Sequence, residues 1–428
     1  MAKSVVSIAK GTDIQQTVRE ALDLLGGVHS LVKPGEVVVL KPNAGHPLPP
    51  ETSVCTNPDF VAAVIKEVRK AQPKEIIVAE AAAGNCDTLE CFEVSGIRKA
   101  AEEAGVDRII DIKRYEELIS IPIRDSKSGF SRARIARFLV EADHLWNLPV
   151  FKPHVAMVLT NALKNWKGVT QGREQHEMHQ TADHRAAIID LWSVVRADLS
   201  IADLIRPAEG YGPHHTFPFD YGCVVASKDP VALDATCCRM LGLDVGLVPY
   251  FELARDRGIG VFNENQIEIR GRTINEVFRQ CWYPYLEGFE NWPEYNIYDE
   301  GSCSCCQGIV AFTLEKLKSL NEYEKNAGVS IVLGPYEELP EGVKPGRDLI
   351  LIGTCVKKFS EQGVYVNGCP PNEGHPLRAI IERASYQPTN LDDYDRRRRG
   401  ELPFTRNQQA MVDNVKPFLD YLKLTRGT

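Results

Sequence analysis

The chain has 428 residues, 43% of them hydrophobic, with 50 Lys and Arg against 58 Asp and Glu for a formal net charge of −8. That length allows two or three domains with true cores and no need of disulfide staples. The acidic balance argues against a partner bound by neutralising phosphates, so no nucleic acid is expected. No run of eighteen apolar residues offers a membrane span. The N-terminus, MAKSVVSIAKGTDIQ, has no apolar signal core with a cleavage site, so a cytoplasmic location is expected.

The first 125 residues alternate between helical and strand patterns. Ile14 to Leu25 has helical spacing, and the Pro34-Gly35 turn leads into an apolar strand at 36–40. A helix is predicted over Pro58 to Val68, a strand at Ile76 to Ala79, a helix over Gly96 to Ala104 and a strand at Arg108 to Ile112. Strands alternating with helices of this length favour a mostly parallel sheet covered by helices. The style continues with a helix over Ala133 to Glu141, an extended His144 to Leu148 and a helix over Thr181 to Ser193. Further strands are expected at Leu199 to Ile205 and Gly222 to Ser227. Asp229-Pro230 then supplies an N-cap and a first-turn proline for a helix to about Leu241.

After Cys281 the composition changes. The Trp-, Tyr- and Pro-rich stretch 281–298 reads as a connecting segment, either an aromatic interface or a buried linker. Strands are predicted at Val329 to Leu333 and Asp348 to Ile352, and a helix over Gln408 to Leu424. The arginines 396–399 read as a solvated turn. The expected organisation is a large α/β domain over 1–290, itself divisible into two lobes, a smaller cysteine-bearing α/β unit over 291–385 and a helical tail over 386–428.

Twelve cysteines are too few for a disulfide scaffold in a chain of this length. Their distribution is uneven, with Cys303, Cys305 and Cys306 inside four residues and Cys355 and Cys369 following. In a cytosolic chain this pattern suggests metal ligation or redox chemistry. Thiolates favour zinc, copper(I) and iron–sulfur clusters, and the flanking glycines leave room for a bulky group. Four of these five are needed for a four-thiolate site: Cys303 or Cys305 with Cys306, Cys355 and Cys369. Adjacent cysteines, a later Gly-x-Cys and a closing Gly-Cys-Pro-Pro resemble the proximal-cluster subunit of respiratory complex I and the nickel–iron hydrogenases. That resemblance implies one [4Fe–4S] cluster. Structural zinc, or reduced thiols including a redox pair, are the alternatives. Cys237 and Cys238, inside a helix, read as core packing, and Cys86 and Cys91 as loop cysteines that could approach a ligand.

Polar residues follow strands in four stretches, where open α/β sheets place their ligands. They are Lys41-Pro42-Asn43; Glu80 with Gly84-Asn85; Asn147-Leu148-Pro149 with Lys152 and His154; and Asn161, Lys164, Asn165, Lys167 and Gly168. Lysines and amides at a sheet edge suit a carboxylate or phosphate, with Glu80, His154, Lys152 and Lys164 placed for proton transfer. Taken singly, Lys41 and Lys152 can be read as solvated residues at strand ends, and for Lys41 alone that reading is preferred, but the accumulation points to a shared pocket holding Lys41, Asn43, Asn147, Asn165 and His179. His176 and His179 are three apart, one short of the zinc-protease spacing. His214-His215 in a glycine-rich loop could line the same pocket. No dinucleotide, P-loop or nucleophile-elbow motif is present.

These stretches carry a family resemblance over residues 35–265. Lys41-Pro42-Asn43, Glu80, Asn147-Leu148-Pro149, Lys152-x-His154, Thr160-x-Ala162-Leu163-Lys164-Asn165 with Gly168, and Ser227-x-Asp229-Pro230-Val231-Ala232-Leu233-Asp234 resemble the domain of unknown function 362 family, often described as iron–sulfur-cluster-binding. The family has no generally established reaction. Many relatives append a two-cluster ferredoxin module, whereas the sparser cysteines here imply one cluster. The expectation is a cytoplasmic iron–sulfur oxidoreductase acting on a small anionic substrate, its [4Fe–4S] cluster serving electron transfer. Two other readings stand beside it: an electron carrier or assembly factor docking to a larger redox complex, and a cluster-dependent lyase or sulfur-transfer enzyme with an open iron. A redox partner protein and a homodimer are the further partners considered.

Overall fold

A computed structural model describes residues 3–180, 183–385 and 391–426. The main sheet has eight strands: β1 (Ser4–Lys10), β2 (Val37–Pro42), β3 (Glu75–Glu80), β4 (Arg108–Asp111), β5 (His144–Leu148), β6 (Leu199–Leu204), β7 (Cys223–Ser227) and β8 (Ile267–Gly271). Their spatial order is β8-β1-β7-β6-β5-β2-β3-β4. Only β7 runs against the rest, pairing antiparallel with β1 and β6. The other neighbours are parallel. The fold is therefore mixed α/β, a mostly parallel sheet covered by helices. A second, smaller sheet toward the C-terminus is parallel throughout, with β9 (Asn296–Tyr298), β10 (Ser330–Leu333), β11 (Leu349–Ile352) and β12 (Val364–Val366) in sequential order.

Local chemistry explains these elements. Val38, Val39 and Leu40 are wholly buried on both faces of β2, as central parallel strands require. The Asn57 side chain accepts from the amides of Asp59 and Phe60, and Pro58 opens the helix Pro58–Lys70. Asp229 does the same for Pro230–Met240, accepting from Val231 and Ala232. Cys237 and Cys238 are buried in that helix as packing residues.

Other expectations need correction. Ala133 to Glu141 is helical only over Arg137–Glu141, because Arg132–Ala136 pairs antiparallel with Leu118–Pro122. Ala133 and Ile135 are buried while Arg132 is exposed, a period of two that the helical reading overlooked. The helix expected from Thr181 is found as His184–Trp192, and Thr181 itself lies outside the described residues. So does Tyr386, where the helical tail was expected to begin. In the aromatic stretch after Cys281 several rings turn inward: Tyr283 and Tyr285 are buried and donate to the carbonyls of Leu241 at 3.0 Å and Val158 at 2.6 Å, while Glu287, Glu290 and Asn291 are exposed. One apolar cluster runs from Ile8 and Val39 in the main sheet through Tyr285 and Ile309 to Ile331 and Ile350 in the small sheet. No helix among the described residues is long and apolar enough to cross a membrane.

Candidate functional site

Lys41 is the last residue but one of β2, Glu80 ends β3 and Asn147 lies in β5, so three neighbouring parallel strands bring polar groups to one carboxyl edge. The hairpin of Lys152–His154 and Val158–Thr160 follows, and then the short helix Ala162–Asn165. Buried Asp234 fixes that helix by accepting from the amides of Ala162 at 2.8 Å and Leu163 at 3.0 Å. Two glycines permit the close approach. A Cβ on Gly212 would strike the Pro153 carbonyl, and one on Gly168 would strike Glu80 and Lys41.

These segments enclose a cavity of about 250 Å³. Lys41, Asn43, Glu80, Lys152, His154, Lys164, Asn165 and His179 line it. Asn147 does not. It is wholly buried behind the wall, accepting from Asn165 Nδ2 at 2.8 Å and donating to the Ala162 carbonyl at 2.9 Å. Sequence reasoning left out His46, Glu373 and Arg406, which also line the cavity. His46 stands three residues past Asn43 and could have been found from that stretch. Glu373 and Arg406 come from the distant C-terminal chain and carry no local signal.

At the floor, Lys41 Nζ reaches Glu80 Oε2 at 2.8 Å, Asn165 Oδ1 at 3.0 Å and the Pro42 carbonyl at 3.0 Å. Glu80 also accepts from the amides of Ala44 and Ala81 at 3.0 and 2.8 Å. Burial pushes the Glu80 carboxyl up and the Lys41 ammonium down, and each opposes the other's shift. With its oxygens so occupied, Glu80 is a fixed counter-ion and is poorly placed to shuttle a proton. Lys152 donates to the Val54 carbonyl and, at 3.3 Å, to Asn43 Oδ1.

The remaining cations are less well matched. Burial first, with nearby lysine charge opposing protonation, brings Lys152 down to about 8 and Lys164 to about 7. Lys167 is held well below its ordinary value by burial and then by Lys164, and its Nζ lies 2.6 Å from His179 Nε2. His179 stacks on His184 with ring centroids 3.9 Å apart. Burial, reinforced by Lys164, keeps His154 neutral. Because His154 Nδ1 accepts from the Ala156 amide at 3.1 Å, its proton sits on Nε2. His154 is thus a donor.

The cysteine expectation is overturned. Among the described residues no three His, Cys, Asp or Glu side chains are arranged to hold a metal ion. Cys303 caps the helix Ser304–Ser319, and hydrogen bonds from Cys305 and then Cys306 hold its thiol far below the ordinary value. Cys305 is wholly buried and Cys355 is exposed. Cys369 is tied by its carbonyl to the His184 amide, and its sulfur faces Arg185 at 3.5 Å. These sulfurs engage one another and their neighbours and do not converge as four ligands on one centre. The [4Fe–4S] cluster and the resemblance to the proximal-cluster subunit fall with that finding. So do the oxidoreductase, electron-carrier and open-iron readings built on the cluster.

Residues 38–239 match the family model described as domain of unknown function (DUF362). A thylakoid-associated protein of Synechocystis is 30% identical over 246 residues, which cover 54% of this chain and 71% of that protein. Among solved structures, the lactate racemase apoprotein of Thermoanaerobacterium thermosaccharolyticum aligns with 13% identity and a TM-score of 0.34, covering 54% of this chain and 56% of that one. A Thermotoga maritima protein aligns with 14% identity and a TM-score of 0.32, covering 56% and 59%. The chain spans little more than half the length of either structure, and likeness of that degree carries no argument about activity. The family is fixed by the model match together with the Synechocystis relative: the chain belongs to the DUF362 family of domains of unknown function.

Proposed function

We propose that the chain binds a small carboxylate or phosphate in this cavity and catalyses a proton transfer on it. The observation that carries the reading is Lys164. It is half-buried on the cavity wall, and among the described residues it has no hydrogen-bond or ion-pair partner within contact distance. An ammonium so placed, with Lys152 and Lys167 near, gains most from an anion entering beside it. The amides of Asn43 and Asn165 add neutral polar groups to the same wall. The cavity volume suits a ligand of a few heavy atoms. Brought to about 7, Lys164 moves between ammonium and amine at little cost near neutral pH, so it holds the anion as the ammonium and can exchange its proton with it. The Nε2–H of His154 donates to the charge that develops. Lys152 and Asn43 orient the anionic end.

The test uses inorganic phosphate and succinate as probes in calorimetric titrations of the wild-type protein and Lys164→Met. Saturable binding by the wild type, weakened at least tenfold in Lys164→Met, supports the reading. Equal binding by both proteins, or none by the wild type at millimolar probe, refutes it. Exchange of carbon-bound protons of small carboxylates in deuterated water, followed by NMR, then reports the proton transfer itself.

A further inference from the structure

A chain of titratable groups crosses the cavity wall from a buried thiol to Glu373. Cys86 Sγ lies 3.5 Å from His46 Nδ1, and His46 Nε2 lies 2.7 Å from His214 Nε2. His214 Nδ1 faces Glu373 Oε1 at 3.7 Å and has no hydrogen-bond partner of its own. Cys86 is wholly buried, whereas His46, His214 and Glu373 line the cavity.

We propose that Glu373 exchanges a proton reversibly with the cavity's occupant, Cys86 lending that proton through His46 and His214 and taking it back by the same path when the occupant returns it. This deepens the anion-site reading and rests on it for the occupant. The 2.7 Å contact between two imidazole nitrogens admits one proton, so the two rings must differ at Nε2. Two arrangements satisfy every contact. In the first, Cys86 S–H donates to His46 Nδ1, His46 Nε2–H donates to His214 Nε2, and His214 Nδ1–H faces the Glu373 carboxylate. In the second, each of those protons has moved one step along. Cys86 is then a thiolate, both imidazoles are neutral in the opposite tautomer, and Glu373 is a carboxylic acid able to give its proton to the ligand. No charge is left on either ring.

The surroundings fit both ends. Cys91 and Lys113 face Cys86: the Cys91 thiol donates to it, and Lys113 Nζ donates to the Cys86 carbonyl at 2.8 Å. These contacts favour a thiolate there. Burial pushes the Glu373 carboxyl up, opposed by Arg406 and then by Lys164 and Lys316. Burial keeps His46 and His214 neutral. Lys152 and Arg406 oppose a proton on either ring, as does His215 on His214. One water, or a side-chain shift of roughly 1 Å, closes the 3.7 Å gap to normal hydrogen-bond length. Glu373 is the catalytic group in this scheme. His214, His46 and Cys86 are positioning residues.

The test reads ring protonation directly in the full chain labelled with ¹⁵N-histidine, using long-range proton–nitrogen NMR assigned with His46→Asn and His214→Asn. At pH 7 the wild type is expected to show two neutral rings, one protonated at Nε2 and the other bare there. Glu373→Gln, which removes the proton that moves at that end, is expected to shift the tautomer populations of His46, and Cys86→Ala those of His214. Each substitution lies one ring away from the ring it is read on, which a merely structural role would leave unmoved. An imidazolium at pH 7, the same Nε2 state on both rings, or far-end substitutions without effect would overturn the relay. If Cys86→Ala does not fold, the wild-type spectrum and Glu373→Gln still decide it. Phosphate titration in the same samples separates the two ideas. Phosphate binding with unresponsive tautomers sinks the relay alone, and absent phosphate binding counts against the anion site.

Discussion

Replacing Gly168 by alanine tests whether the buried Lys41–Glu80 pair organises the cavity floor. The added Cβ lands on Glu80 Oε1 and 2.8 Å from both Lys41 Cε and Nζ. The carboxylate cannot simply swing aside. The amides of Ala44 and Ala81 and the Lys41 ammonium hold it at 2.8 to 3.0 Å, and the Gly168 carbonyl is itself bound by the Ala81 amide at 3.0 Å. The methyl therefore pries the pair apart inside a wall where both partners are almost wholly buried. Breaking such a pair costs about 3–5 kcal/mol. Alanine returns about 0.4–1 kcal/mol by restricting the unfolded chain. The expected net loss is about 2–4 kcal/mol, read as a lowered urea midpoint with unchanged slope. Gly374→Ala is the control, since its Cβ meets nothing nearer than Asn372 Oδ1 at 3.9 Å, and a change within about 0.5 kcal/mol is expected. A Gly168→Ala protein within about 1 kcal/mol of wild type would refute the reasoning, because it would mean the pair tolerates displacement.

Sulfate, dianionic throughout the range, should bind more weakly as pH rises from 6 to 9, because Lys164 and Lys152 lose their protons near 7 and 8; calorimetry should show the step near 7 vanish in Lys164→Met. The sign for stability is the reverse. Both lysines are lowered on folding, so between the folded and unfolded values the unfolded chain binds more protons, and ligand-free stability should rise with pH from about 7 toward 10 in urea titrations. Asp234→Ala should orphan the amides of Ala162 and Leu163 and cost roughly 2–6 kcal/mol, loosening the helix that carries Lys164 and Asn165; intact stability would show that Asp234 anchors nothing. In the folded protein Cys355, the exposed thiol, should be alkylated before Cys237 and Cys238, as peptide mass spectrometry can follow.

Elements with a local cause were legible in the sequence. Asn57-Pro58 and Asp229-Pro230 announce their helices because cap and first-turn chemistry lie within four residues. The apolar runs of β2 and β3 announce buried parallel strands for the same reason. Arg132–Ala136 was missed because its partner, Leu118–Pro122, decides its state from outside the window. The gathering of Lys41, Glu80, Lys152 and Lys164 could be anticipated because the first two stand at the carboxyl ends of their strands and the others in or just after the hairpin that follows. Glu373 could not, since only the packing of the small-sheet region brings it beside His214. The cysteines misled for a related reason. Spacing in sequence says which thiols could meet, but the direction each takes from its helix or loop decides whether four converge. Cys305 turns into the core and Cys355 out to solvent.

The same packing gives the charges in the cavity their meaning. A lysine taken out of water loses hydration that only an opposite charge or several acceptors can replace. Lys41 has that replacement in Glu80, Asn165 and a carbonyl, and the floor is rigid because of it. Lys164 has no comparable partner among the described residues, so burial and the neighbouring Lys152 disfavour its charged form. An entering anion offsets that penalty, and its binding energy adds to folding stability by mass action, about 2.7 kcal/mol at a ligand concentration one hundred times its dissociation constant. Binding should also restore the proton that Lys164 gives up near neutral pH. Occupancy, protonation and stability are therefore three readouts of one coupled event. A ligand that stabilised the fold without taking up a proton near pH 7 would have to be sitting somewhere other than beside Lys164.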